Sequence, residues 1–254
     1  MMRHAYKAFL LLIVLALPLP AHSEQSLSFV TVENFAPYAW LQDGNPTGID
    51  VEIIDDLSQR SGIPVTISLL PAKRLIQMIK TGIAHGGFAA FKTPAREEIA
   101  DFIETPVHLS TYQIFVKKDA EFDFQSTKDL HGKSIGKNRG FHISEEFSKA
   151  EADGKIHIVE VSKMEQNIEM LNKGRLDVFV GNKLEVAYTL RQLGLSNMIL
   201  PLPVPVRTPQ GAHLMISKAA KIDDRRDIIK RLSETLLGMQ SDGTLNKIYE
   251  KYGK

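Results

Sequence analysis

The chain has no cysteine. That excludes disulfide staples, thiolate zinc sites, thiol nucleophiles and lipid attachment through a cysteine. It also lacks an excess of either charge: 31 Lys and Arg stand against 30 Asp and Glu, a formal charge of +1. Such a balance leaves no electrostatic footprint for nucleic acid. No H-E-x-x-H or P-loop pattern occurs, which removes the common signatures of zincins and nucleotide phosphate binders. The eight histidines are scattered, with no pair at metal-ligand spacing, so neither a metal nor a cofactor is expected. Trp occurs once, and no low-complexity tract or solenoid repeat is present. What remains is a 254-residue chain, 43% apolar and 24% charged, long enough to bury more than one core.

The one long apolar run lies at the start. Arg3 and Lys7 precede ten apolar residues, Ala8 to Leu17; Pro18 and Pro20 break the run, and Ala21-His22-Ser23 follows. This is the three-part pattern of a secretory signal peptide over 1–23, with cleavage expected after Ser23. The competing reading, a membrane anchor, needs roughly 20 apolar residues. The mature chain is therefore expected to be exported to the periplasm, soluble, and one unit negative, with 29 basic against 30 acidic residues.

Strand and helix patterns then alternate. Leu27 to Val32, Val65 to Leu70, Tyr112 to Lys117, Lys133 to Gly136, Ile156 to Val161, Leu176 to Val180 and His213 to Ser217 read as strands. Helical spacing marks Ile49 to Ser61, Lys73 to Lys80, Met164 to Lys173, Leu184 to Leu193, Asp223 to Gln240 and Leu245 to Tyr252; Gly62, Gly82, Gly174 and Gly194 supply helix stops. The alternation predicts α/β lobes built on parallel sheets with helices on both faces. Two stretches interrupt it: Thr105 to Ser110, and Pro201 to Gln210 with four prolines in ten residues. Proline cannot support a central ladder. Two such crossings imply a chain that leaves one lobe, builds a second and returns.

Several motifs occur in a fixed order. They are Glu33-Asn34-Phe35-Ala36-Pro37-Tyr38, Gly48-Ile49-Asp50-Val51-Glu52-Ile53, Leu75 to Gly82 with His85, and Thr93-Pro94-Ala95-Arg96-Glu97 with Asp101-Phe102. Ser126 to Lys133, Gly174-Arg175-Leu176-Asp177, and Ser241-Asp242-Gly243-Thr244-Leu245 with Ile248, Tyr249 and Tyr252 complete the series. In this order they resemble the family 3 bacterial extracellular solute-binding proteins, which include polar amino acid receptors of ABC importers. The resemblance covers about Leu27 to Tyr252. It implies the two-lobed periplasmic-binding-protein fold (type II), with two hinge crossings and a ligand cleft between the lobes. Carried onto this chain, lobe one is 24–105 plus 213–254, lobe two is 111–207, and the hinges are about 106–110 and 208–212.

The same resemblance assigns ligand residues. Arg96 matches the arginine that clamps the ligand carboxylate, a task suited to a planar guanidinium. Its competing reading is a surface ion pair with Glu97 or Glu98. Thr93 stands three residues before it, and Phe91 occupies a position where the family has a polar side chain. Phe35, Tyr38 and Trp40 are candidates for an apolar wall, against ordinary core packing. Glu33 and Asn34 fall at the mouth of strand one. Asn138-Arg139-Gly140-Phe141-His142 fills the glycine-rich loop of lobe two, either as carboxylate donors or as a solvated turn. Asn182 stands where amino acid receptors of the family carry an aspartate for the ligand ammonium; Glu33 and Glu185 are nearby carboxylates that can substitute. Lys73-Arg74 is either a basic cleft edge or a solvated helix face.

The implied function is a receptor that closes on a small polar, carboxylate-bearing ligand, an amino acid or related organic acid. The implied partner is an inner-membrane ABC permease, and the implied state is a monomer. Two alternatives share the fold: a periplasmic sensor signalling to a membrane kinase, and an exported cyclohexadienyl-type dehydratase with Glu33 or Glu185 as general acid.

Overall fold

The computed structural model describes residues 25–139 and 143–253. The expected leader at 1–23 and two loop candidates, Phe141 and His142, lie outside them. The strands are β1 (Leu27–Val32), β2 (Trp40–Gln42), β3 (Asn45–Thr47), β4 (Val65–Leu70), β5 (Gly86–Phe91), β6 (Ala100–Phe102), β7 (His108–Ser110), β8 (Tyr112–Lys117), β9 (Ser134–Asn138), β10 (His157–Val161), β11 (Val178–Asn182), β12 (Ile199–Pro205) and β13 (Gln210–Ser217). The helices are α1 (Ile49–Ser61), α2 (Ala72–Thr81), α3 (Pro94–Glu97), α4 (Glu145–Ala152), α5 (Met164–Asn172), α6 (Lys183–Gln192), α7 (Arg225–Ser241) and α8 (Thr244–Gly253).

Two sheets organise two lobes. The first has the order β4-β1-β5-β13-β6, with β7 also paired to β13; the second is β10-β9-β11-β8-β12. A β2-β3 hairpin stands apart. The alternating pattern predicts parallel sheets, and the structure corrects this: each is mixed. β4, β1 and β5 are parallel, and β13 runs antiparallel to β5 and β6. β10, β9 and β11 are parallel, and β8 runs antiparallel to β11 and β12. The antiparallel members adjoin the crossings. They enter each sheet from the other lobe, so they need no helical crossover and run against the βα units.

Alternation along the strands divides each core into two layers. In lobe one, Leu27 and Phe29 face Ile53, Leu57, Leu232 and Leu236, while Val30 faces Leu75, Ile79 and Met215. In lobe two, Ile114, Val116 and Val180 face Phe147, while Phe115 and Phe179 stack at 5.1 Å among Ile168, Leu171 and Val186. Each such buried side chain contributes about 1.5–3 kcal/mol, so each lobe has the means to hold itself together.

The crossings are short. Only Thr111 separates β7 from β8, and residues 206–209 separate β12 from β13. The two returning strands pair with each other: Ser110 opposes Gln210 and Ala212 opposes His108. The proline-rich stretch forms the edge strand β12, whose register breaks between Pro201 and Pro205, the position where a strand tolerates missing donors.

Candidate functional site

Parallel strands place their carboxyl ends on one edge, where α/β folds bind ligands. β1 ends at Val32, just before Asn34; β5 ends at Phe91; β9 and β11 end at Asn138 and Asn182. At the seam of the two lobes lies a cavity of about 350 Å³ lined by Asn34, Ala36, Asn138, Ser162, Lys163, Met164, Glu165, Glu185 and Thr189. Its size falls in the small-ligand range of about 300–1,000 Å³. A larger groove, about 470 Å³, runs along the outer edge of the second sheet between Phe122 and Pro203, away from these strand ends.

The lobe-one wall is the turn Phe35 to Ala39. Its backbone closes on itself through bonds between Phe35 and Ala39, and it is docked on the start of α1: the Ile49 and Asp50 N–H groups donate to the Pro37 and Tyr38 carbonyls. Gly48 makes this approach feasible. Its φ is 130°, and a Cβ there would stand 2.3 Å from the Tyr38 carbonyl oxygen. Asn34, at φ 57°, turns the chain into the cavity wall. Phe35 is half-buried and stacks on Tyr38 at 4.7 Å; Tyr38 is buried and lies 4.2 Å from the His108 ring. Trp40 packs against Tyr188 and Tyr252 at 5.9 and 6.1 Å, so it joins the lobes. Glu33 is exposed and does not line the cavity.

β5 leads to Arg96. Ala89 takes φ 60° in the stretch where the pairing of β5 with β13 shifts register, a bulge that re-aims the strand end. Thr93 and Pro94 then open the short α3. The Arg96 Nη1 donates to the Phe91 carbonyl at 2.9 Å, and burial lowers the guanidinium pKa. Arg96 makes no ion pair with a described residue, and Glu97 faces Lys92 at 3.9 Å. The surface ion-pair reading is therefore not what the structure shows. Phe91 packs against the lobe-two core, with the Arg207 guanidinium 5.4 Å from its ring. The same guanidinium lies 4.6 Å from the Tyr112 ring. Arg207 and Tyr112 escaped the sequence reading; their only signal is that both adjoin the crossings. Lys73 and Arg74 are exposed on the first turn of α2 and line none of these hollows, so they form a solvated helix face.

On lobe two, Asn138 lines the cavity and accepts from the buried Asn167 at 3.1 Å. Arg139 is exposed. Asn182 is fully buried. Its Oδ1 accepts from the Leu184 and Glu185 N–H groups at 3.0 and 3.1 Å, capping α6, and from the Tyr38 hydroxyl at 3.2 Å. Its Nδ2 donates to the Ser110 hydroxyl at 3.4 Å. The side chain also holds the Tyr112 hydroxyl. Three donors saturate the amide oxygen, so in this geometry Asn182 has no acceptor left for a ligand. Behind it, Ser110 meets His108 Nε2 at 3.0 Å, and His108 Nδ1 meets the buried Asp50 at 2.7 Å. Burial, with Asp50 nearby, pushes the Tyr38 phenol up. Burial and the Glu185 carboxylate push Tyr112 up to about 12.

Glu185 is the perturbed acid of the cavity. Burial first, and the Glu165 carboxylate second, push it up to about 8. Among the described residues its carboxyl has no hydrogen-bond or ion-pair partner, and no group of His, Asp or Glu is arranged to hold a metal ion.

The chain matches the family model described as "Bacterial extracellular solute-binding proteins, family 3" over residues 27–254. It is 26% identical over 218 residues to the "Probable amino-acid-binding protein YxeM" of Bacillus subtilis (strain 168), covering 85% of this chain and 79% of that one. It is 22% identical over 206 residues to the "L-cystine-binding protein TcyA" of the same organism, covering 81% and 72%. Among solved structures, an ancestral arginine-binding protein bound to arginine superposes with a TM-score of 0.72 at 20% identity, covering 92% of this chain and all of that one. With two mixed sheets joined by paired crossings and a cavity at their seam, the chain belongs to the bacterial extracellular solute-binding proteins of family 3.

Proposed function

We propose that this receptor closes on a small polar ligand bearing a carboxylate, an amino acid or related organic acid, and delivers it to an ABC importer in the inner membrane. Support comes from relatives named for amino acid or cystine binding and a structural neighbour bound to arginine. The observation that carries the ligand class is Arg96: a half-buried guanidinium just past the carboxyl end of β5, anchored to the Phe91 carbonyl and facing no described carboxylate. A desolvated cation without a counter-ion is costly, and an incoming carboxylate supplies one.

Lobe one is taken as 24–105 plus 213–254 and lobe two as 111–207, with hinges near 106–110 and 208–212. Closure about these crossings shuts the cleft. Phe35, Phe91 and Thr93 border the ligand from lobe one together with Asn34; Asn138 borders it from lobe two. Tyr38 and Asn182 hold the lobes together rather than touching the ligand. The protein works in the periplasm as a monomer after losing its leader. Among the described residues no helix is long and apolar enough to cross a membrane. The relatives are named as binding proteins, and the chain is read as a receptor, not a dehydratase.

The test is a thermal-shift screen of the mature protein, refolded to remove carried-over ligand, against the twenty amino acids, polyamines, small mono- and dicarboxylates and prephenate. A ligand at 100 times its Kd stabilises by about 2.7 kcal/mol, a shift of several degrees. Stabilisation by an amino acid or carboxylate supports the reading. Response only to polyamines, or turnover of prephenate, contradicts it.

A further inference from the structure

The residue that resemblance assigns to the ligand ammonium, Asn182, has its oxygen saturated within the protein. We propose that Glu185, one turn further along the chain, binds the ligand's cationic nitrogen instead. This deepens the proposed function and rests on it: the ligand class narrows to carboxylates that also carry an ammonium or other cation.

Three observations support the assignment. First, Asn182-x-x-Glu185 has the spacing of a capping box, in which the second side chain returns to the backbone N–H of the first. Only half of the box is formed. Asn182 caps the Glu185 N–H, while the Glu185 carboxyl makes no described bond back. Second, Glu185 is half-buried and lines the seam cavity, with no donor or cation bound to its carboxyl among the described residues. An unpartnered, half-buried acid lining a cavity is a ready partner for a positive charge. Third, the surrounding groups leave the position open to one. Asn34 enters from lobe one and Asn138, Ser162 and Thr189 from lobe two, all neutral hydrogen-bonding side chains.

The charged and titratable groups facing Glu185 are few. Glu165, on α5, acts against its ionisation. Lys163 lines the same cavity but forms no ion pair with either glutamate. The Tyr38 and Tyr112 phenols face it from the lobe-one turn and from β8, and both remain protonated through the physiological range. A ligand cation must therefore displace a proton from Glu185. Below the acid's raised pKa of about 8, binding and deprotonation are coupled, and apparent affinity climbs with pH.

The experiment is titration calorimetry on the mature protein at pH 6, 7 and 8, in phosphate and in Tris, with L-arginine, L-histidine, L-cystine and any other amino acid found to bind. The desamino acid of the tightest ligand serves as comparison, and Glu185→Gln, Glu185→Asp and Glu165→Gln are run alongside. The expected wild-type result is a gain of about tenfold in affinity per pH unit up to pH 8, with close to one proton released at pH 6. Glu185→Gln should flatten that dependence and weaken binding at pH 8 by at least about 30-fold. Glu185→Asp should keep the pH slope, and Glu165→Gln should shift it to lower pH. Glu185→Gln should still melt cooperatively, since it removes only an unpartnered acid.

Amino acid binding that is independent of pH and unchanged in Glu185→Gln overturns the Glu185 assignment and leaves the receptor reading standing. Binding only of carboxylates without a cationic nitrogen also overturns it, and leaves the organic-acid form of that reading. Absence of binding by any amino acid or carboxylate overturns both.

Discussion

The Tyr38 hydroxyl donates to the Asn182 amide oxygen across 3.2 Å, and through this one bond the ligand turn of lobe one grips the helix cap of lobe two. Both residues are buried. The bond ends a polar chain that runs from Asp50 through His108 and Ser110 to Asn182, along the first crossing. The first crossing between the lobes is thus flanked by a hydrogen-bonded network rather than an apolar seam.

Tyr38→Phe removes that bond and keeps the ring against Phe35 and His108. The expected cost is about 0.5–1.5 kcal/mol. The ligand-free protein should melt a few degrees lower and show a larger radius of gyration by X-ray scattering. Unchanged melting and scattering would mean that the bond does not hold the lobes.

Asn182→Asp is the substitution that resemblance recommends for improving amino acid binding. The structure leads to the opposite expectation. An aspartate still caps α6, but it loses the donor to Ser110 and places a charge beside Glu185 in a fully buried position. Stability should fall by about 1–3 kcal/mol in urea denaturation, with no gain in affinity for any amino acid. A gain would show that the side chain reaches the ligand.

The Asp50–His108 pair is buried on both sides. Removing the imidazole leaves a buried Asp50 oxygen without its hydrogen-bond partner, at a cost of about 1–3 kcal/mol. His108→Ala should therefore lower the denaturation midpoint. A change under about 1 kcal/mol would show that water reaches Asp50 and screens it.

Glu185 also makes the free protein sensitive to pH. Its folded pKa of about 8 lies above the ordinary carboxylate value, so the folded state holds a proton that the unfolded state gives up. That contribution is complete below the unfolded pKa and is lost as pH rises through about 8. Melting temperature without ligand should therefore decline from about pH 5 to pH 8, less steeply in Glu185→Gln. Parallel curves for the two proteins would remove the buried-acid account.

Much of this architecture is legible in the chain. The helix stops at Gly62 and Gly82 take the left-handed conformation that a C-cap glycine supplies, at φ 71° and 74°. The strand at 27–32 and the helix at 49–61 fall where periodicity places them. β5 was not legible, because GGFAAF carries little β-branched or alternating signal and is fixed by its neighbours β1 and β13. α4 and the β2-β3 hairpin are too short and too polar to announce themselves. At the site, Arg96 is singled out by motif; it is half-buried past the end of β5 and is not among the residues lining the seam cavity. Asn182 shows why a matched position does not fix a role. A strand-end asparagine before a helix is also an N-cap, and the local capping competes with the ligand for the same oxygen. The cavity face of Glu185 depends on how the lobes meet, which no single stretch of sequence encodes.

The carboxylate clamp is the central claim, and titration calorimetry of Arg96→Ala against wild type, with the tightest ligand found in the screen, tests it most directly. Removing one partner of a desolvated charge pair costs about 2–5 kcal/mol, so affinity should fall roughly 30- to 3,000-fold while melting without ligand stays close to wild type. Equal affinities in the two proteins would show that the ligand carboxylate is held elsewhere.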